Sequence, residues 1–545
     1  MSAAATPQPP RPGSTLASLL DEMAAARGSH PAIIHFGERI GYAELRERAR
    51  EAARALLALG VKRGDRVGAL LGNQPEWLIM CFAASHVGAT FVPLNTWYKK
   101  AELGWTLRHC EVSLLVMLPR FLNQDFAGML LEMAPELPGA ASGRLRSVAL
   151  PALRAVVMLG EPVRGAFDWR SFIALGASVD AASVDAAARA VSARDHAFIL
   201  YTSGSLAEPK GVLLDHGGVV QNGHAMAMRR AIDGSDRIWL GSPLFYGLGA
   251  ANAMPVALTQ GATLVLQGSF DAGSAIEVIE ATEATAWYGT GNMTRAVLDH
   301  PEYRQRRIGS LKKGNAGTMT DYKRMTLVEM GISRACPAYG LTESYGNATV
   351  GEADDALEAK LHTNGRPLPG TEMRIVDPAT NAPLAAGQVG LVLLRGHTTP
   401  GYYANPEETR RALRADGFFD TGDLGCLDAD GRFVFHSRLK EVIKSGGINV
   451  SPMEVEQLLA QHPHVREAYV VGVSDVVRGE RIVAFVDADR PLPEDELKAF
   501  VKERVSSFKV PHHVFFRAEA QLPRLASGKV AKYRLVEEAK RELGL

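Results

Sequence analysis

Residues 201 to 211 read YTSGSLAEPKG, which sets Thr202, Ser203, Gly204 and Ser205 a few positions before Pro209, Lys210 and Gly211. The preceding HAFIL has the character of a buried strand, so the chain turns directly out of a sheet. Backbone N–H groups freed in such a turn, hydroxyls beside them and an ammonium at its far end can surround phosphate oxygens. The same residue types also make an ordinary solvated turn, and the stretch by itself does not choose between the two. It is not the G-x-x-x-x-G-K-[ST] phosphate loop, because a proline precedes Lys210 and no Ser or Thr follows it. GTGNMT at 289 to 294 likewise fails the G-x-G-x-x-G pattern of dinucleotide folds.

Four further stretches carry groups of similar chemistry: YGLTE at 339 to 343, TGD at 421 to 423, SRLKEVIKSGG at 437 to 447 and PRLASGK at 523 to 529. A lone acid after YGLT has no helix-pairing reason to be there, and one carboxylate at Asp423 can accept from two vicinal hydroxyls or cap its own turn. Lys529 in a flexible ASGK run is, by residue type alone, a solvated loop lysine. No Ser-His-Asp order or activated nucleophile stands out. His216, His362 and His436 read as loop or packing residues. Cys81, Cys110, Cys336 and Cys426 form no CxxC pair, so they read as ordinary reduced thiols, with neither a zinc knuckle nor a disulfide framework.

The elements that must position these groups alternate. RVGALLGN precedes QPEWLIMCFAASHVG, FVPLN precedes KKAELGWTLRHC, and SLLVML and AVVML follow. Strand-sized runs between helix-sized amphipathic stretches predict an α/β fold of layered, largely parallel sheets. Glycine-rich short runs over 384 to 435 predict a small antiparallel unit closing the large part. At 545 residues the chain exceeds one ordinary domain. The boundaries are an N-terminal domain over 1–436, a hinge over 437–440 and a C-terminal α+β domain over 441–545. No period of 20 to 50 residues recurs. Sixty Lys plus Arg balance sixty Asp plus Glu, which leaves no field to attract nucleic acid. The apolar window at 78 to 94 is interrupted by Ser85, His86 and glycine, so no membrane span is expected, and the Pro-rich start reads as a loose leader rather than a signal peptide. These features place the chain in the cytoplasm.

Taken together, the five stretches resemble the AMP-forming acyl/aryl-CoA synthetase family of the adenylate-forming superfamily, over about residues 30 to 540. Its Y-T-S-G-[ST]-T-G-x-P-K-G loop is matched by Tyr201 to Gly211, with Leu206 and Ala207 in place of Thr-Gly. Its Y-G-x-T-E, T-G-D, arginine-lysine hinge and P-K-T-x-x-G-K follow in order and at family-like separations. The resemblance implies a large domain followed by a small mobile one, with ATP, Mg2+ and CoA as substrates and cofactor. It implies that Thr202, Ser203, Gly204, Ser205 and Lys210 hold the outer phosphates, that Thr342 reaches the α-phosphate and that Glu343 ligates magnesium. Tyr339 and Gly340, with the main chain at Asn315, Ala316 and Gly317, lie along adenine, Asp423 takes the ribose hydroxyls, and Arg438, at the hinge, is among the residues that bind the nucleotide. Lys529 enters during adenylation and leaves as the small domain turns about Lys440. Lys444, Gly446 and Gly447 then belong to the CoA-facing arm.

The PLFYG run places Tyr246 where the family carries histidine, so any imidazolium role is absent. Tyr246, Gly247, Trp287 and Gly289 give apolar surroundings, and no acid lies within PLFYGLGAANAMP to pair a substrate ammonium. Asp271 reads as a helix cap. A hydrophobic carboxylic acid is expected, medium- or long-chain fatty or aryl, with a small-molecule acid, ATP and CoA as partners. A homodimer is compatible with this. Rival readings are a ligase loading a carrier protein, an ATP-binding protein with weak turnover and a luciferase-type oxygenase.

Overall fold

The computed structural model describes residues 10–11, 13–202, 209–305, 308–439, 443–450, 452–523, 530 and 532–545. Its contacts divide the chain into two units. One comprises Met1–Thr96, Gly104–Leu200 and Gly211–Ser437, the other Trp97–Leu103, Tyr201–Lys210 and Arg438–Leu545.

In the first unit the short apolar runs are strands and the patterns between them helices. Arg66–Leu70, Thr90–Pro93, Val112–Met117 and Ala155–Met158 pair in parallel within a seven-stranded sheet. Its strands are buried on both faces, which is why they read as continuous apolar runs rather than alternating ones. The helix between the first two, Pro75–Val87, opens on a proline and closes on Gly88 at φ +70°, and every residue of it except Glu76 is buried. The most apolar window of the sequence is therefore a core helix followed by a strand. No single described helix is long and apolar enough to cross a membrane.

A nine-stranded sheet supplies the rest of the layered core. Five parallel connections join Pro31–His35, Thr263–Leu266, Arg237–Leu240, Ala286–Tyr288, Lys313–Gly317 and Arg334–Tyr339 in spatial order. Antiparallel strands complete both edges. The C-terminal ends of the parallel strands are where the loops bearing Gly289, Thr318 and Gly340 begin. Loop residues at such strand ends are where open α/β sheets bind ligands.

The small antiparallel sheet orders Thr371–Val376, Gly390–Gly396, Phe419–Leu427 and Phe433–Arg438. It starts earlier than the expected 384, because TEMRIV is only partly buried and lacks a clean alternation. In the second unit a long antiparallel hairpin pairs Val465–Asp475 with Gly479–Ala488 and is buried on both faces along the middle of its second strand. Val470, Ile482 and Ala484 fill one core, and Val471, Val473 and Val483 fill the other. The helices Pro452–Leu459 and Glu494–Arg504 and the helix Lys532–Glu542 accompany it. All four cysteines are buried and free.

Candidate active site

Strand Arg334–Tyr339 delivers Tyr339 at its last position. The Tyr339 hydroxyl donates to Asp423 Oδ2 at 2.8 Å, and both residues are buried, at 3% and 2% exposure. The Tyr339 ring packs against Phe433 at 4.6 Å and lies nearly parallel to Phe435 at 5.7 Å. Two motif residues 84 positions apart are thus in direct contact. Asp423 sits within strand Phe419–Leu427, and its own N–H is taken by Thr421 Oγ1 at 3.0 Å, so the TGD turn is held from inside.

Beyond Tyr339 the chain doubles back on itself. A Cβ at Gly340 would fall 2.4 Å from the Asn347 Cα, so only glycine lets residues 340 and 347 pass. Between them Thr342–Ser344 forms one 3-10 turn, and Tyr345 follows at φ +53°. Glu343 Oε1 accepts the Tyr402 hydroxyl at 2.9 Å, and its carbonyl accepts the Thr399 N–H at 2.6 Å, which fixes the carboxylate. No cluster of three His, Cys, Asp or Glu occurs among the described residues. One anchored carboxylate suits magnesium, which keeps several waters and shares oxygens with phosphates.

Strand Lys313–Gly317 ends next to this turn. Asn315 Oδ1 accepts the Gly317 N–H at 3.2 Å, Ala316 is buried, and Gly317 adopts φ +82°. Asn364 then ties three strand ends together. Its Nδ2 donates to the Thr318 carbonyl at 2.9 Å and the Ala338 carbonyl at 3.4 Å, and its Oδ1 accepts the Phe435 N–H at 3.0 Å. Sequence reading missed Asn364, Tyr402 and Asn95. The one available signal was a polar residue inside an otherwise apolar or glycine-bounded stretch.

On the acid side, Tyr246 accepts from Asn95 Nδ2 at 3.3 Å. A Cβ built on Gly247 would touch the Thr342 hydroxyl at 3.4 Å, so the two segments are neighbours. Trp287 is fully buried and stacks on Trp239 at 4.3 Å and 20°, from a register-matched position on the adjacent strand. The space that Gly289 leaves is taken by the Trp287 ring itself, 2.5 Å from where a Cβ would sit. Gly249 is likewise filled by its own turn, since a Cβ there would fall 2.6 Å from the Leu244 Cα. Of these glycines, Gly247 alone meets nothing closer than ordinary contact. Asp271 caps the helix Ala272–Thr282, accepting the Ser274 N–H at 2.8 Å.

Several expected residues belong to the second unit. Thr202 ends strand His196–Thr202, and Lys210 opens strand Lys210–Asp215. Ser203, Gly204 and Ser205, like Leu206 and Ala207, lie outside the described residues, as do Lys440 and Lys529. Arg438 is the last residue of strand Phe433–Arg438, and its side chain is outside the description. Lys444 donates its N–H to Glu480 Oε2. Gly446 and Gly447, at φ +65° and +77°, form the two-residue turn joining Ile443–Ser445 to Ile448–Val450, a geometry that needs left-handed backbone at both positions. The histidines are structural or peripheral. His216 is 1% exposed and burial pushes it down to about 4, while His362 pairs with Glu358 at 3.0 Å on the surface.

Residues 20–403 match the AMP-binding enzyme family, and residues 454–529 match the AMP-binding enzyme C-terminal domain. A Mycobacterium tuberculosis 3-[(3aS,4S,7aS)-7a-methyl-1,5-dioxo-octahydro-1H-inden-4-yl]propanoyl:CoA ligase is 36% identical over 97% of this chain and 99% of its own. A putative acyl-CoA synthetase of Bacillus subtilis is 31% identical over 96% and 97%. Among solved structures, the amide bond synthetase McbA of Marinactinospora thermotolerans aligns with a TM-score of 0.81 at 25% identity, covering 96% of this chain and 99% of that one. With two family domains in order, and with relatives matched along almost their whole length, the chain belongs to the AMP-binding enzyme family and is an AMP-forming CoA ligase that uses ATP, magnesium and CoA.

Proposed function

We propose that this enzyme activates a hydrophobic carboxylic acid, of the medium- or long-chain fatty or aryl class, to its acyl-adenylate and then transfers the acyl group to CoA. The observation that carries this reading is the nearness of Gly247 to the Thr342 hydroxyl, which a Cβ at Gly247 would meet at 3.4 Å. It sets the segment expected to face the acid against the turn expected to face the α-phosphate. An attack of carboxylate on that phosphorus needs both within a few ångströms. The apolar character of the acid side, with no acid in residues 243 to 255 to pair a substrate ammonium, favours a hydrophobic acid over an amino acid. By their names, the relatives act on carboxylic acids joined to CoA, one of them a largely hydrocarbon bicyclic acid, which supports a hydrophobic acid without choosing between fatty and aryl.

In this reading Asp423 accepts from the ribose hydroxyls while Tyr339, held by that same carboxylate, stacks its ring on adenine alongside Gly340, Asn315, Ala316 and Gly317. Arg438, at the hinge, also binds the nucleotide. Tyr402 fixes the rotation of the Glu343 carboxylate, and Thr342 offers its hydroxyl to the α-phosphate. Magnesium held at Glu343 would neutralise charge on the phosphate oxygens. Thr202, Ser203, Gly204, Ser205 and Lys210 donate to the outer phosphates. Lys529 comes in during adenylation to neutralise the attack, and the C-terminal domain, 441–545, then turns about the 437–440 hinge to bring Lys444, Gly446 and Gly447 towards CoA. Tyr246 and Gly247 border the acyl pocket, with Trp287 and Gly289 as the wall behind. Four buried free thiols fit a cytoplasmic setting.

The test is a panel of carboxylic acids with ATP, magnesium and CoA, reading AMP and thioester together. Hydrophobic acids should give both products in equal amounts. Pyrophosphate release without thioester would instead point to a carrier-protein acceptor. Lys529→Ala should lose roughly 2.7 to 4 kcal/mol of adenylation barrier stabilisation, the scale of one transition-state contact, yet still make thioester from supplied acyl-adenylate. Equal loss of both half-reactions would defeat the two-conformation scheme.

A further inference from the structure

Beneath the 340–347 turn lies a buried polar cluster with no part in the chemistry described above. Arg230 stands at the C-terminal end of the helix His216–Arg229 and is 0% exposed. Its Nη1 donates to Asn252 Oδ1 at 2.9 Å and to the Tyr288 hydroxyl at 3.2 Å, and its Nη2 donates to Asn347 Oδ1 at 2.8 Å. Asn252 Nδ2 donates to the same Asn347 oxygen at 2.6 Å. A guanidinium and an amide therefore converge on one carbonyl oxygen. All the acceptors found for Arg230 among the described residues are neutral, and a buried cation on neutral partners is a poor way to gain stability. What such an arrangement does supply is fixed geometry.

The geometry fixed is that of the turn carrying Thr342 and Glu343. From the same helix, Asn222 Nδ2 donates to the carbonyls of Ser344 at 3.1 Å, Tyr345 at 3.1 Å and Asn347 at 2.9 Å. Gly218 leaves room for the Tyr345 ring, which would lie 2.1 Å from a Cβ there. At the other end, Asn252 belongs to the π-helix Gly249–Ala253, immediately after Tyr246 and Gly247. Single π-turns interrupt the regular hydrogen-bond ladder and are frequent at functional sites. Arg230 thus links the segment on the acid side to the turn on the nucleotide side through one shared oxygen.

We propose that Arg230 is a positioning residue for adenylation: together with Asn252 and Asn347 it locks the Thr342–Glu343 turn to the segment after Gly247, so that metal and acid are held in one frame. This rests on the reading of Glu343 as the magnesium ligand. The experiment compares Asn347→Leu, which cannot accept, with Asn347→Asp, which keeps an acceptor oxygen for both donors. Asn347→Leu should raise the half-saturating magnesium concentration for pyrophosphate release roughly tenfold or more, the scale seen when an outer partner of a metal ligand is lost. It should also speed amide hydrogen exchange across 342–347. Asn347→Asp should stay within about twofold of the wild type on both readouts. A folded Asn347→Leu with unchanged magnesium dependence and unchanged exchange overturns the proposal, as does an Asn347→Asp equally impaired. If Asn347→Leu does not fold, Arg230→Lys, which keeps the charge but replaces the rigid two-nitrogen fork that spans Asn252, Tyr288 and Asn347 with a single nitrogen, should show the same two shifts, and their absence is equally decisive. Hydrogen exchange needs no turnover. A loosened turn in a protein whose wild type releases no pyrophosphate would refute the activity and leave the brace standing, whereas normal exchange in an active variant refutes the brace alone.

Discussion

Two strands of one sheet, separated by a single neighbour, carry aromatic residues that meet opposite surroundings. Arg334–Tyr339 ends in a ring whose hydroxyl is spent on a buried carboxylate at 2.8 Å. Ala286–Tyr288 carries Trp287, whose indole stacks on Trp239 and whose Nε1 finds no hydrogen-bond partner among the described residues. The first ring is wired by side chains from distant segments, and the second lies on a dry face of its strand, opposite Tyr288, which takes a bond from Arg230. The proposed site, with a charged nucleotide against an apolar acid, calls for surroundings of both kinds, because polar groups are costly unless paired and apolar surface gains most where water is excluded.

The wired end should break most visibly at Asp423. Asp423→Ala removes the acceptor proposed for the ribose and the carboxylate to which the buried Tyr339 hydroxyl donates. Loss of that charge-assisted bond should cost about 1–3 kcal/mol of folding stability. Losing charged acceptor bonds to two hydroxyls should weaken ATP by roughly a hundredfold or more. Calorimetric titration with ATP and denaturant unfolding measure the two separately. A variant that binds ATP normally would detach Asp423 from the nucleotide and leave it as a packing residue.

The same end buries a cation. Lys323 is 2% exposed, and its ammonium donates to the carbonyls of Thr363 at 2.8 Å and Leu361 at 3.4 Å, beside Asn364. Burial pushes it down to about 8, from an ordinary 10.5. Below pH 8 both folded and unfolded chains carry the proton, and the fold bears the full cost of the buried charge. Between pH 8 and 10.5 the unfolded chain binds more protons than the folded one, so stability should rise with pH, by up to about 3 kcal/mol. Lys323→Met should remove that rise. Unfolding midpoints in denaturant at pH 7.5 and 10 decide it, and equal slopes in both proteins would mean that Lys323 does not titrate as its burial implies.

What could be read from the residues divides along the same line. Tyr339, Glu343 and Asp423 lie in short local patterns, and the parallel strands announce themselves by continuous apolar runs, so both were legible. The Asp271 cap was legible for the same reason, since its partner is three residues away. Tyr402 on Glu343, 59 residues on, and Asn347 on Arg230, 117 residues on, leave no periodicity or spacing to follow. The wiring of the polar end is made of such long connections. The dry end misleads differently, because Gly289 reads as room for a ligand, yet the room is filled by Trp287 two residues earlier. A side chain folding along its own strand cannot be told from an open pocket by composition.

That last point gives a steric test of intermediate size. Gly289→Ala sets a methyl 2.5 Å from a fully buried indole that is itself stacked on a second one, so the ring cannot swing away freely. Overpacking of this kind costs about 1–3 kcal/mol. Thermal or denaturant unfolding should show it, together with a changed preference in the acid panel. Were the variant as stable as the wild type, the space at 289 would be open after all and available to substrate.

The smallest effect is expected from Trp287→Phe, and it sharpens the contrast most. Truncation to phenyl removes buried contact area and opens a small void, a loss that large-to-small core changes impose wherever they are made. It also removes an indole N–H that is buried with no partner among the described residues, a group whose burial itself costs about 1–3 kcal/mol. The two terms oppose each other, so the net change should fall within about 1 kcal/mol. Tyr339→Phe, the matching removal of a polar handle on the wired strand, deprives a buried carboxylate of a donor, and there the loss has no offset. Unfolding curves for the two variants, run side by side, should therefore separate. If Trp287→Phe destabilised as much as Tyr339→Phe, the indole N–H would have to be satisfied in solution by a bound water, and the acid side of the site would be wet.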